Sequence, residues 1–424
     1  MATYLTNTTD LTAVADAIRT KGSTSAPLTF PSGFVNAIDA IPTGAAVLGG
    51  KTVTYMVDGA VFATQSVKAN ETVEAPPRPL YIDKVFGYWC TADDGTGTEI
   101  DFPYEVTDDI TLYAIKFDPW ITFKSSASFR MKVNTKQWNG TLEYSTNATN
   151  WTTWTGGNTA YAASSGDDYV LYIRGTGNQR LTGYTNTPAT YCWRTDGASA
   201  DVHCIGQIST AFDYQSAIAG KTIETWSGAM YGLFYYDSYI KEGPNIDNLK
   251  MTERLCGSMY SHCTRLTKIH PIPFKSIAQY ACSAMFNACS SLENVPQLPA
   301  IDINTSSYDS MFYDCTALKN IPKIYAVGNT SYAFNSMFRG CTNLEDIYIP
   351  NTVYSASDSY RNMYTGCTKI KISTEESEEY HNSFVLPSGG SSCYDSMFAS
   401  TGGTFTGTPV AGTTYYTPNT IKRG

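Results

Sequence analysis

The chain has 424 residues, a formal net charge of −9 and an acidic isoelectric point near 5.0. Hydrophobic residues make up 42% and charged residues only 16%, where globular chains usually carry about 25% charged, so cores can form beneath a surface rich in Tyr, Thr, Ser and Asn. No basic stripe is present to release counterions from nucleic acid, and no run of about 20 apolar residues is present to span a bilayer.

The N-terminal stretch "TTDLTAVADAIRTKGS" predicts a short helix. Thr9 or Asp10 caps it, Leu11, Val14, Ala15 and Ile18 form one apolar face, and Gly22 ends it. A second helix is expected in "FPSGFVNAIDAIP", with Phe34, Ile38 and Ile41 on one side and Pro42 as the stop. Two helices of this size bury too little surface to stand alone. Residues 1–44 are therefore expected to pack on other copies of the chain or on a partner, with 45–50 as a small-residue linker. The start lacks the basic and apolar regions of a secretory signal. Residues 1–44 resemble the N-terminal segment of structural proteins from phages and prophages of Gram-positive gut bacteria. That resemblance implies docking into a virion, with Leu11, Val14, Ile18, Phe34 and Ile38 as attachment residues, or trimerisation in the manner of phage fibres.

Residues 51–117 read as a small β module. "TVTYMVDGAVFATQSV" alternates around an Asp58–Gly59 hairpin signal. The Gly87-Tyr88-Trp89 triplet and Asp109, Thr111, Leu112, Tyr113 and Ala114 resemble the internalin-type B repeat, or Listeria–Bacteroides repeat. The resemblance implies a β-grasp-like spacer or weak adhesion unit. Trp89 is expected in its core rather than on a sugar.

Residues 118–225 hold short strand-like runs divided by turn residues, which predicts a β-sandwich. It resembles a sandwich found before repeats of the kind described next, and is expected to cap their first coil. Trp151 and Trp154 are read as packing residues, with an exposed sugar platform as the alternative.

From residue 226 the chain repeats itself. Leu233, Met259, Met285, Met311, Met337 and Met363 follow at steps of 26. Cys263, Cys289, Cys315, Cys341 and Cys367 keep the same step, as do Leu266, Leu292, Leu318, Leu344 and Ile370. An aromatic residue follows each Met, and a degenerate copy places Met397 34 residues after Met363. A fixed period of this size predicts a solenoid, because one coil cannot bury its apolar side alone. Like residues are expected to stack about 4.8 Å apart along a parallel sheet, and some seven coils then give a surface on the order of 30 Å long. The cysteines fit as small buried side chains rather than metal ligands or disulfides. Tyr313, Asp314, Lys319, Asn320 and Arg339 occupy variable slots and form the candidate ligand face. The phrase "SAMFNACSSLENVPQLPAIDI" resembles BspA-type leucine-rich repeats, which implies binding rather than catalysis.

Catalytic chemistry finds little footing. His203 precedes Cys204 and His262 precedes Cys263, but a nucleophile pair must meet in space with an orienting group. The acidic run "DDGTGTEID" lacks the spacing of an EF-hand loop and reads as a solvated turn.

The expectation is a mostly β, multidomain protein: a helical handle, a β-grasp-like module, a β-sandwich over 118–225, and a leucine-rich-repeat solenoid over 226–424 with a degenerate C-terminal cap. It is expected to be a tail fibre or receptor-binding adhesin on the virion, outside the cell. Its partners would be other virion proteins and a host surface protein or polysaccharide, with no cofactor, metal, nucleic acid or membrane insertion. A head fibre or decoration protein and a polysaccharide depolymerase are the alternatives. A bacterial surface adhesin would carry a signal and a wall anchor.

Overall fold

The computed structural model describes residues 50–184, 192–326, 330–349 and 356–423. The predicted attachment helices, with Leu11, Val14, Ile18, Phe34 and Ile38, lie outside the described residues. The chain divides into two compact units. Among the described residues, the first holds 50–76 together with Thr91–Thr98 and Pro103–Tyr113; the second holds the others. The fold is mostly β, with one described helix and several sheets.

In the first unit, β1 (Gly50–Val57) runs antiparallel to β2 (Ala60–Lys68) through a tight turn. The Asp58–Gly59 pair forms it as the sequence predicts, both residues at positive φ. β3 (Glu71–Val73) pairs antiparallel with β5 (Tyr104–Val106), beyond β4 (Val85–Cys90) in sequence. β6 (Ile110–Phe117) begins parallel to β1. Val53, Tyr55, Val106 and Leu112 are fully buried here. Asp109, just before β6, accepts a 2.7 Å hydrogen bond from the Thr52 N–H of β1. The first part of the acidic run is a solvated turn, as read, with Asp94 accepting from both the N–H and the hydroxyl of Thr96, whereas Glu99 and Asp101 at its end are half-buried and bonded to His270 and Gln297.

In the second unit, β4 lies beside the C-terminal half of β6. A Cβ on Gly87 would sit 2.7 Å from the Phe117 ring and 2.9 Å from the Ile115 carbonyl, which accounts for the glycine. Trp89 is in the core, 3% exposed.

Two sheets follow. The larger contains β7 (Ile121–Ser125), β9 (Thr141–Ser145), β10 (Thr152–Thr153), β12 (Ala163–Ser165), β13 (Asp168–Thr176) and β15 (Val202–Ile205). The smaller contains β8 (Arg130–Val133), β11 (Ala160–Tyr161) and β14 (Trp193–Asp196). The larger sheet runs β10-β9-β13-β7-β15 and continues into β16 (Ile240–Glu242), which belongs to the first repeat coil. The cores join as well. Trp154 stands 5.4 Å from both Trp138 and Trp193, and Trp193 meets Phe234 of the first coil edge-on. Trp154 is fully buried, while Trp151 packs under the Arg174 guanidinium at 4.1 Å. A helix not marked in the sequence reading, α1 (Ser209–Ile218), packs on β13. Gly175 permits this, since a Cβ there would meet the Ala211 carbonyl at 1.7 Å.

The 26-residue register is realised as a stack of turns, and this corrects the expected continuous parallel sheet. Along the Met–aromatic–Cys segment, N–H groups alternate between two partners. Cys256, Ser258, Tyr260 and His262 donate to carbonyls of the next coil at 2.7–2.9 Å; Gly257, Met259, Ser261 and Cys263 donate three residues back within their own coil. Every fourth residue is left-handed, as at Arg254 (φ 55°), Ser258 (φ 53°) and His262 (φ 65°). Each left-handed residue stops the run of turns from continuing as helix. Only half the donors cross between coils, so no strand forms there. Parallel pairing survives in short pieces: β17 (Ser276–Ile277) with β18 (Asp302–Ile303), and β19 (Asp346–Ile349) with β22 (Thr420–Arg423). β20 (Asn382–Val385) in the long insertion pairs antiparallel with β21 (Thr414–Thr417) and closes the C-terminal end.

The repeated side chains stack inward. Met259, Met285, Met311, Met337 and Met363 are at most 1% exposed, and Leu266, Leu292, Leu318 and Leu344 are fully buried. The aromatic rings from Phe234 through Tyr260, Phe286, Phe312, Phe338 and Tyr364 to Phe398 lie 5.5–6.1 Å apart. They are nearly parallel, in the offset arrangement that ring quadrupoles favour. That spacing exceeds the expected 4.8 Å because offset rings slide past one another.

Candidate ligand-binding surface

Cys263, Cys289, Cys315, Cys341 and Cys367 are more than small fillers. Each thiol donates to the backbone carbonyl of the aromatic residue 29 positions earlier, at 2.9–3.1 Å. That carbonyl already accepts an N–H from its own coil, such as Cys263 N–H on Tyr260, so the S–H takes its second lone pair. All 11 cysteines fall among the described residues, all are buried and none is in a disulfide. Burial pushes the Cys263, Cys289 and Cys341 thiols well above their ordinary range, and Cys282 up to about 12.

The two His–Cys neighbours do not form nucleophile pairs. The His262 ring stacks on Tyr236 at 4.1 Å and its Nδ1 meets Ser261 Oγ at 2.9 Å, while Cys263 points inward to Phe234. His203 faces outward to Glu242, while Cys204 on the opposite strand face is fully buried.

The predicted outward residues do reach the surface. Asp314, Lys319 and Asn320 are exposed, and Tyr313 and Arg339 are half-buried. The stack brings Arg339 of one coil over the Tyr313 ring of the coil before, at 5.4 Å. Asp314 lies against Gly340, where a Cβ would meet its carboxylate oxygen at 1.8 Å. Lys319 is tied to Glu293 at 2.9 Å, and Lys369 to Glu345 at 2.7 Å, so the exposed cations have partners of opposite sign one coil away.

Sequence spacing missed a second set. Arg254 lies 4.5 Å from both the Tyr184 and Tyr280 rings, and Tyr184 stands edge-on to Tyr231 at 5.0 Å. Tyr235, Tyr236 and His262 form another aromatic group beside it in the chain. Tyr236 is 49% exposed at φ 60°, a backbone region costly for a bulky residue. A tyrosine in the slot that later coils give to Ala288, Asp314 or Gly340 was the available signal.

Within the second unit a buried polar network runs beneath the first coils. His270 Nδ1 meets Glu99 at 2.8 Å, and its Nε2 lies 3.8 Å from Glu242. Glu242 also binds Lys268 and His203. Burial opposes ionisation of Glu242, but the Lys268 and His203 bonds outweigh it and hold the carboxyl below its usual range. Asp101 accepts the Gln297 N–H, and burial pushes its carboxyl up to about 7.

Against known proteins, a family model for the Listeria-Bacteroides repeat domain matches residues 52–115. The match falls on the module expected at 51–117. No curated protein and no solved structure matches the chain.

Proposed function

We propose that the chain is a structural adhesin of a phage particle, of the tail-fibre or receptor-binding kind. In this reading residues 226–400 are a BspA-type leucine-rich-repeat solenoid that carries the ligand face, and the Listeria–Bacteroides module and sandwich are its spacer and cap. Residues 1–44 are the docking segment, and the virion assignment rests on their resemblance to phage structural proteins. The observation that supports an adhesin is the division of labour within each coil. Met311, Phe312, Cys315 and Leu318 are fully buried, while Asp314, Lys319 and Asn320 are exposed, and the Lys319 slot is exposed again at Thr267, Glu293 and Glu345 of neighbouring coils. Such a surface offers a periodic row of adaptable polar and aromatic contacts to an extended partner.

The test is gold labelling of particles from the producing culture with an antibody to residues 226–424. Label at the tail tip is the expected result, and the same antibody should then block adsorption to the host. Label over the head identifies a decoration fibre instead. Label on bacterial walls and none on particles overturns the virion assignment.

A further inference from the structure

A wide-mouthed cavity of about 690 Å³ opens where the outer face of the larger sheet meets an early repeat coil, and neither Tyr313 nor Arg339 lines it. Strand alternation builds its floor. Val202 and Cys204 of β15 point into the core, so His203 between them points out, directly across from Lys124 of β7. Asp168 at the start of β13, Ser126 and Asp201 complete that side, and Arg265 from the stack forms the facing wall.

The chemistry of the lining is specific. Lys124 pairs with Asp168 at 2.9 Å. Asp201 pairs with Arg265 at 3.2 Å and with Lys241 at 3.0 Å. His203 Nδ1 lies 3.0 Å from Glu242, which is 10% exposed. Because Glu242 is held ionised, Nδ1 is the donor of that bond; the imidazole side chain is 43% exposed. The cavity thus presents cations and carboxylates side by side, each about one hydrogen-bond length apart, with a fixed histidine between them.

We propose that this cavity binds a neutral sugar unit. An anion or a cation would have to displace a partner that already matches it. A neutral hydroxyl donates to a carboxylate and accepts from a cation at once, and two adjacent ring hydroxyls are spaced like the pairs in the lining. The Asp201 bond occupies one of the five N–H groups of Arg265, which leaves donors for the ligand. The volume is that of an ordinary small-ligand site. The Lys241 ammonium, then Arg265, holds the Asp201 carboxyl below its usual range. That suits it to accept hydroxyl protons and not to act as the general acid of a depolymerase. The site does not depend on the exposed coil face or on the virion assignment, so each fails separately.

The test uses the full chain and saturation-transfer NMR followed by calorimetry. The probes are neutral trisaccharides of glucose, galactose and N-acetylglucosamine, a galacturonic acid trisaccharide, and phosphocholine. The expected result is saturable binding of at least one neutral trisaccharide, weakened at least tenfold in both His203→Ala and Asp168→Asn, and unchanged in Val410→Ala, an exposed position that neither lines the cavity nor belongs to the candidate ligand face. Thermal melting checks that each variant is folded, and Asp168→Asn alone decides if His203→Ala is not. No binding of any neutral probe, binding confined to the charged probes, or neutral binding that survives the cavity substitutions would each overturn the proposal.

Discussion

At the residue scale, the cysteine column shows one side chain doing two jobs. Cys315 fills a fully buried slot and also satisfies the Phe286 carbonyl at 3.1 Å. Ala would leave that lone pair without a partner, and Val would add a methyl to a closed space. The thiolate form is the reactive one, and burial disfavours it throughout the column. The native protein should therefore show almost no reaction with Ellman's reagent at pH 8, and all 11 thiols should react after denaturation. Prompt native reaction of several thiols would contradict the ladder. The left-handed positions make a second demand. Ser310 sits at φ 55° with its N–H bonded to Asn335 at 2.8 Å. A β-branched residue is poorly tolerated there, so Ser310→Val should cost roughly 1–2 kcal/mol in chemical denaturation. Ser310→Gly should change stability by much less.

At the element scale, segment 99–102 is bound to the repeat coils by two half-buried acidic groups, Glu99 and Asp101. Asp101 has its carboxyl raised from the ordinary 3.8 to about 7, chiefly by burial. The folded state therefore holds this proton more tightly than the unfolded chain. The stabilisation is fully present below about pH 4 and is lost as pH rises through about 7. Asp101→Asn keeps an acceptor for the Gln297 N–H without the charge. The variant should melt at least a few °C above the parent at pH 8, with the gap closing toward pH 5. Equal gaps at both pH values would remove Asp101 as the cause. Much of this scale was legible beforehand. The Asp58–Gly59 turn, the 26-residue register, the inward Met, Cys and Leu columns and the outward Asp314 and Lys319 all follow from local pattern. The turn-run backbone was not legible, because Arg254, Ser258 and His262 carry no left-handed signature. Nor was β16, whose partner β15 lies some 35 residues back in the chain. The cavity draws its lining from β7, β13, β15 and a coil, so no spacing announces it.

At the scale of the whole molecule, the second unit contains a continuous core from the sandwich tryptophans through Phe234 to Phe398. Removing residues 356–423 would uncover Phe338 and Cys341 and leave the N–H groups of Phe334, Ser336, Phe338 and Gly340 without their acceptors. The shortened chain is expected to aggregate on expression, read by gel filtration, whereas excision of one internal 26-residue coil, residues 286–311, should leave it soluble. The alternating backbone bonds carry a consequence for how the protein is made. Each coil's outward N–H groups wait for carbonyls about 25 residues downstream, which the ribosome has yet to synthesise. The sandwich, which precedes the coils in the chain, offers β16 and Phe234 a seat on β15 and Trp193, and each later coil packs on the one before. Assembly from the sandwich outward, coil upon coil, is the expected order, and pulse-labelled hydrogen exchange should show the early coils protected before the late ones. The β20–β21 pair brackets the last coil in the chain and covers it, Phe384 packing on Phe398.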